Sequence, residues 1–370
     1  MHLYIHVPFC QRRCSYCDFS IAVRKRIPAQ QYVDAVLTEF RRVASEPALE
    51  TVYFGGGTPS LLPPEAIAAL LDELTDLRHT PHAAREVTLE ANPEDVTPDH
   101  AAAWRAAGIN RVSLGAQSFD DRVLAWMHRS HDAARIGDAV RTLRHAGIDN
   151  ISLDLIFGLP GELERDWGRD LDMLCSLLPA HCSLYGLTVE SRTPLDRWIS
   201  RGAVQPPEDG RYADEYLAAH ARLSTAGYAF YEVSNASLEG YRSRHNSAYW
   251  SGRPYTGLGP AAHSFDGRTR RWNLSAWEAY RRALADGRSA VESEETLTDE
   301  QRELERVYLA LRTREGLPLD HPRLSTPLHA CVAAGWVVRE GGRFRCTPDG
   351  WLRLDSLVQE LTRLGTPQLP

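Results

Sequence analysis

His2-Leu-Tyr-Ile-His-Val7-Pro-Phe-Cys10-Gln-Arg-Arg-Cys14-Ser-Tyr-Cys17-Asp-Phe19 is the stretch on which the reading of the chain turns. Residues 2–7 form a β-type apolar run. Three thiols then follow as C-x3-C-x2-C, so one loop at a strand end can aim all of them at a common centre, and Arg12 and Arg13 between them favour thiolates. Three protein ligands leave one position open. A structural zinc site takes a fourth protein ligand, and no further Cys or His pair stands at zinc-finger spacing. An iron–sulfur cube, with three irons on Cys and the fourth open to an exogenous ligand, matches better. Zinc and three unrelated thiols are the alternatives.

Outward from this loop, short β-type runs alternate with helix-type stretches. Further strands are expected near 51–54, 86–91, 110–115, 150–156 and 182–189, and helices near 29–45, 63–77, 98–107, 132–146 and 162–177. Pro63-Pro64 and Thr97-Pro98 are helix openings. Six β/α units in succession imply parallel strands buried on both faces, in a doubly wound sheet or a barrel, with the functional site at the strand ends.

Residues 1–200 would form this core and 201–290 an extension with a helix near 208–226 and a strand near 228–233. The acidic stretch Glu292-Ser-Glu-Glu-Thr296 reads as a linker into a small unit over 291–370. There Thr298 and Gln301 make a capping box for a helix to about 312, Leu328–Ala334 is helix-like, and Gly341-Gly342 turns a hairpin between 337–340 and 343–346. This order suggests a winged-helix-like domain. Ten Arg against ten Asp plus Glu over 299–370 favour a packing or partner module over a DNA binder.

In the whole chain of 370 residues, 42 Lys plus Arg stand against 49 Asp plus Glu, a net charge of −7 that gives no field to gather nucleic acid. Its one lysine, Lys25, lies in Arg24-Lys25-Arg26, which removes P-loop and Schiff-base chemistries. Neither H-E-x-x-H nor G-x-S-x-G occurs. Gly257-x-Gly259-x-x-Ala262 contains Pro260 and is no dinucleotide fingerprint. With seven cysteines and an opening unlike a signal peptide, a reduced, cytoplasmic setting is expected, in which Cys175, Cys182, Cys331 and Cys346 are small buried hydrophobes. No apolar run approaches the roughly 20 residues of a membrane span.

The C-x3-C-x2-C loop after the first strand and Gly55-Gly-Gly-Thr-Pro59 after the second together resemble the radical S-adenosylmethionine (SAM) enzymes. The chemistry is coherent: an amino acid amine and carboxylate can chelate the open iron, and glycines let backbone come close to the amine. Taken singly, Glu90 reads as a solvated cap, Gln117 as a structural amide and Arg129 as a surface charge, whereas Asp154 inside an apolar strand would be buried and needs a partner. Tyr4-x-His-x-Pro-Phe-Cys10, Ser113-Leu-Gly-Ala-Gln117-Ser-Phe119, Arg129-x-His131 and Asp154-Leu-Ile-Phe-Gly-Leu-Pro160 are similar, in the same order, to one branch of that superfamily. The branch holds oxygen-independent coproporphyrinogen III oxidase and the radical SAM haem chaperone of the HemW type. The resemblance implies a partial (β/α)6 TIM-type barrel, a 4Fe-4S cluster on Cys10, Cys14 and Cys17, and a SAM site lined by Tyr4, Tyr16, Gly56, Gly57, Thr58, Glu90, Gln117, Arg129 and Asp154.

Within the branch, the oxidase has a fourth cysteine where Phe19 stands and an N-terminal extension ahead of the position of Tyr4, whereas His245-Asn-Ser-Ala-Tyr-Trp250 matches the H-N-x-x-Y-W motif of the chaperone. Imidazole is an axial haem ligand and aromatic side chains pack on porphyrin faces, so His245 is one candidate ligand. His263, in a family loop near the barrel mouth, is the other. The implied function is to bind haem as cargo and deliver it to haem-requiring, respiratory proteins. That expectation includes peripheral contact with the membrane and an electron donor such as flavodoxin or ferredoxin. Radical oxidative decarboxylation of porphyrinogen propionates is the alternative, and SAM cleavage is open in both.

Overall fold

The computed structural model describes residues 1–43, 48–78, 85–320 and 325–363. Residues 44 and 45 at the end of the first expected helix, and 321–324 and 364–370 of the C-terminal unit, lie outside them.

Residue alternation along six strands sets the architecture. They are β1 (His2–Val7), β2 (Thr51–Gly56), β3 (Glu86–Ala91), β4 (Arg111–Gln117), β5 (Asn150–Phe157) and β6 (His181–Gly186), each parallel to the next in chain order. Thr256–Leu258 adds in parallel to the outer edge of β1, and the antiparallel pair Asn235–Ser237 and Ala229–Glu232 adds beyond β6. These two edges are not paired with each other, so the barrel is open.

One side-chain set is apolar and fully buried, including Leu3, Ile5, Val52, Phe54, Leu89, Val112, Leu114, Leu153 and Leu184. It belongs to the same core as Tyr32, Val36, Leu70, Trp104, Val140 and Leu174 from the crossover helices Ala29–Phe40, Pro64–Arg78, Pro98–Ala107, Ala133–His145 and Trp167–Leu177. The alternate set is polar and bonds to itself: Ser152 Oγ meets His181 Nδ1 at 2.8 Å, and the Tyr53 hydroxyl donates to Glu90 at 2.8 Å. Both faces are thus covered, as expected of parallel strands, but the inner one is a polar lumen.

A short helix, Arg244–Trp250, plugs this lumen. Ser243 caps it by accepting from Asn246 N, and the backbone N–H groups of Arg244 and His245 in its first turn both donate to the Glu86 carboxylate of β3, at 2.8 and 2.9 Å.

The acidic stretch read as a linker is instead part of a strand, Val291–Thr296, paired with Thr269–Asn273 in a three-stranded sheet that His263–Phe265 completes. Charge explains it: Arg270 lies opposite Glu295 and Arg271 opposite Glu294. The boundary expected at 291 therefore falls inside a sheet.

Beyond it, the Thr298–Gln301 capping box opens the helix Asp299–Arg312, and Gly341 and Gly342 take the positive φ values, 58° and 73°, that a two-residue hairpin turn needs. Trp351 donates its indole N–H to the Leu311 carbonyl at 3.0 Å and packs beside the His220 ring of helix Asp209–Thr225, joining this unit to the main core.

Candidate cluster and cofactor site

The loop after β1 is closed at its base, where Phe9–Cys10 pairs in parallel with Ala22–Val23, Ala22 N donating to Pro8 O at 2.6 Å and Arg24 N to Cys10 O at 2.9 Å. Inside it, Thr58 donates its hydroxyl to Cys10 Sγ at 3.4 Å and Arg129 a guanidinium N–H to Cys14 Sγ at 3.7 Å. Burial pushes the Cys10 thiol up and the Cys17 thiol up to about 11, with Arg13 opposing, so the loop arginines alone do not make thiolates. A bound cation would, since coordination deprotonates a thiol outright. Among the described residues no three Cys, His, Asp or Glu side chains converge on a single ion.

The three thiols form one wall of a 380 Å³ cavity at the strand ends, and Tyr16, Gly56, Gly57, Thr58, Glu90, Gln117, Arg129 and Asp154 are all among its lining residues. Gly57 is forced: a Cβ there would lie 2.8 Å from Phe9 O and 3.0 Å from Cys10 Sγ. Gly56, at φ 113°, turns its N–H onto Glu90 Oε2 at 3.1 Å. Burial above all lifts the Glu90 carboxyl to about 7, and Asp154 adds to the lift. Gln117 has φ 67°, unusual for a residue with a side chain, at an irregularity in the β4–β5 register.

Asp154 has the partners its burial demands, the hydroxyls of Ser113 at 2.9 Å and Ser152 at 3.0 Å, and burial raises its pKa. Arg129 holds neither carboxylate. It donates to Asn92 Oδ1 at 2.5 Å and to the Gly115 carbonyl at 3.0 Å.

Two expected residues fall elsewhere. Tyr4 is absent from this cavity: its hydroxyl pairs with His6 Nδ1 at 3.1 Å and its ring lines a second cavity of about 500 Å³. His245 is 1% exposed, with Nδ1 on Thr51 Oγ1 at 2.7 Å and Nε2 on the Tyr249 hydroxyl at 2.8 Å. Burial first, then His2 and Arg111, depresses its pKa to about 3. It is a neutral internal tie with no nitrogen left for iron, which corrects its reading as a candidate ligand. His263 is exposed on the second cavity. Ser113, Gly115 and Tyr185 also line the first cavity and were not singled out in the sequence. The two-residue period of β4, which puts Ser113 and Gly115 on the face of Gln117, is a signal that could have found two of them.

Comparison with known proteins shows the family of the chain and its fold. The Radical SAM superfamily model matches residues 4–174. The chain is 40% identical to the heme chaperone HemW of Mycobacterium tuberculosis, covering 97% of this chain and 94% of that protein, and 33% identical to heme chaperone HemW of Bacillus subtilis, covering 85% and 84%. A solved structure of coproporphyrinogen III oxidase (HemN) from Escherichia coli, described as a radical SAM enzyme, superposes with a TM-score of 0.82 at 22% identity, over 100% of this chain and 90% of that one. This last likeness speaks for the fold alone.

Proposed function

The chain belongs to the HemW family of heme chaperones within the radical SAM superfamily, and from that premise we propose that it binds haem and hands it to haem-requiring proteins, using a centre that holds a 4Fe-4S cluster and SAM. The observation that carries this reading is 40% identity sustained over 97% of the chain.

A cluster with SAM on its open iron supplies one-electron chemistry when bound. The residues lining the cavity suit that pair. Cys10, Cys14 and Cys17 would hold the irons, Thr58 and Arg129 donate to two of the thiols, and Gly57 leaves the room a side chain would fill. Glu90, Asp154 and Gln117 offer polar groups to the amine and hydroxyls of SAM, and Ile156 and Leu187 offer an apolar wall.

Haem-accepting proteins at the membrane surface and an electron donor of the flavodoxin or ferredoxin type are the partners of this reading. Exposed Arg12, Arg13, Arg24, Lys25 and Arg26 beside the cluster loop support the donor, because acidic redox proteins are drawn to such a patch. No helix among the described residues is long and apolar enough to cross a membrane.

Anaerobic reconstitution followed by haem titration and a coproporphyrinogen conversion assay tests the proposal. Stoichiometric haem binding without turnover is the expected result. Steady production of protoporphyrinogen above a cluster-free control would make the protein an oxidase.

A further inference from the structure

We propose that the haem is seated in the second cavity, outside the cluster pocket, with His263 as its iron ligand and the aromatic end of the H-N-x-x-Y-W helix as its wall. This deepens the haem-binding reading and rests on it.

The first argument is elimination among the candidate histidines. His245 has both ring nitrogens bonded inside the lumen. Only His6 and His263 line the 500 Å³ cavity. His6 is also spent, with Nδ1 on the Tyr4 hydroxyl and Nε2 3.2 Å from the Ser20 carbonyl. The His263 ring is exposed, and no hydrogen bond engages either of its nitrogens. Partial shielding from water by the cavity, then the Arg270 guanidinium, lowers its pKa, so the imidazole is neutral at pH 7 and its lone pair is available.

The second argument is how firmly His263 is placed. Its ring stacks on Trp272, centroids 6.0 Å apart and planes at 26°. Its backbone is pressed onto the edge strand so closely that a Cβ on Gly257 would lie 2.1 Å from His263 O, and a Cβ on Gly259 would lie 2.5 Å from His6 O. The glycine pattern that mimics a nucleotide fingerprint thus serves to lay this loop against β1. Ala261, two residues ahead, sits at φ 60°, a strained value for a residue with a side chain.

The third argument is the cavity's chemistry. Tyr249, Trp250, Tyr255 and Phe265 give it aromatic walls, which a flat macrocycle can bury. Arg270 lies over the Phe265 ring at 5.4 Å and pairs at 2.5 Å with Glu305, which also lines the cavity, so a haem propionate here competes with that carboxylate for the guanidinium. In this arrangement the motif divides its work: His245 ties the helix to β2, while Tyr249 and Trp250 face the cargo.

The test is ferric haem titration of the full chain, read by the Soret band and by electron paramagnetic resonance, with iron and sulfide content as the check on folding. His263→Ala should weaken haem at least tenfold and lose the imidazole signature, and millimolar free imidazole should restore that signature. His245→Gln should keep the imidazole signature even if affinity falls, because its side chain positions the helix wall through Thr51 and Tyr249 and does not ligate iron. Gly257→Ala, which displaces His263, should resemble His263→Ala. If wild-type protein binds haem and His263→Ala binds it with the same spectrum, the seat is wrong and the haem reading stands. If wild-type protein binds none, both fall.

Discussion

At the scale of single residues, the decisive atoms are three sulfurs on one loop and two carboxylates above them. Replacing any one of Cys10, Cys14 or Cys17 by Ala should abolish the brown chromophore, with iron and sulfide falling toward those of the triple variant; wild-type content in the triple variant would refute the cluster. Glu90 makes a prediction about pH. Its native pKa is raised from 4.5 to about 7, chiefly by burial, so between those values the folded state holds a proton that the unfolded chain has released. Stability from this group therefore declines as pH climbs through that window, by about 2 kcal/mol once water in the cavity is allowed for. Urea midpoints at pH 5 and pH 8 should differ less in Glu90→Gln than in the wild type, and an equal difference would show that Glu90 titrates normally. Much of the cavity was legible because motif residues at successive strand ends share one rim. Tyr4 and His245 were not, since a motif names a residue without saying which of its atoms are already engaged.

At the scale of elements, what escaped the sequence reading was structure whose partner lies far along the chain. Glu292–Thr296 looks like a solvated tether until it meets Arg270 and Arg271 across the sheet, about 20 residues earlier. The helix Arg244–Trp250 has seven residues, too few for its period to stand out, and its burial depends on Glu86, 158 positions before Arg244. That carboxylate receives two backbone N–H groups at the helix start. Glu86→Gln replaces one acceptor oxygen by a donor facing an N–H, and the loss should be about 1–3 kcal/mol. Measured as a drop in urea midpoint with unchanged slope, it would show that the plug is held from β3. No drop would mean that Thr51 and the aromatic packing of His245 suffice.

At the scale of the whole molecule, the question is whether the C-terminal unit is a separate body or part of one cooperative fold. Sequence patterning finds its capping box, helix and hairpin but cannot show what their apolar faces meet, because any amphipathic pair can pack on itself. The structure answers with a continuous core. Val307, Leu311, Phe344, Trp351 and Leu357 belong to the same cluster as the outer faces of β1 to β5. Trp351 is the joint: 8% exposed, bonded to Leu311 O and beside His220. Trp351→Ala removes the ring and strands a buried carbonyl, a cost of about 3–5 kcal/mol for the cavity alone. If the unit folds with the barrel, that loss will lower the midpoint of the entire protein, with helix content and cluster absorbance disappearing together in one transition. If it is a tethered domain, the variant will split the curve in two, the cluster surviving the first step. The shared core predicts the single transition.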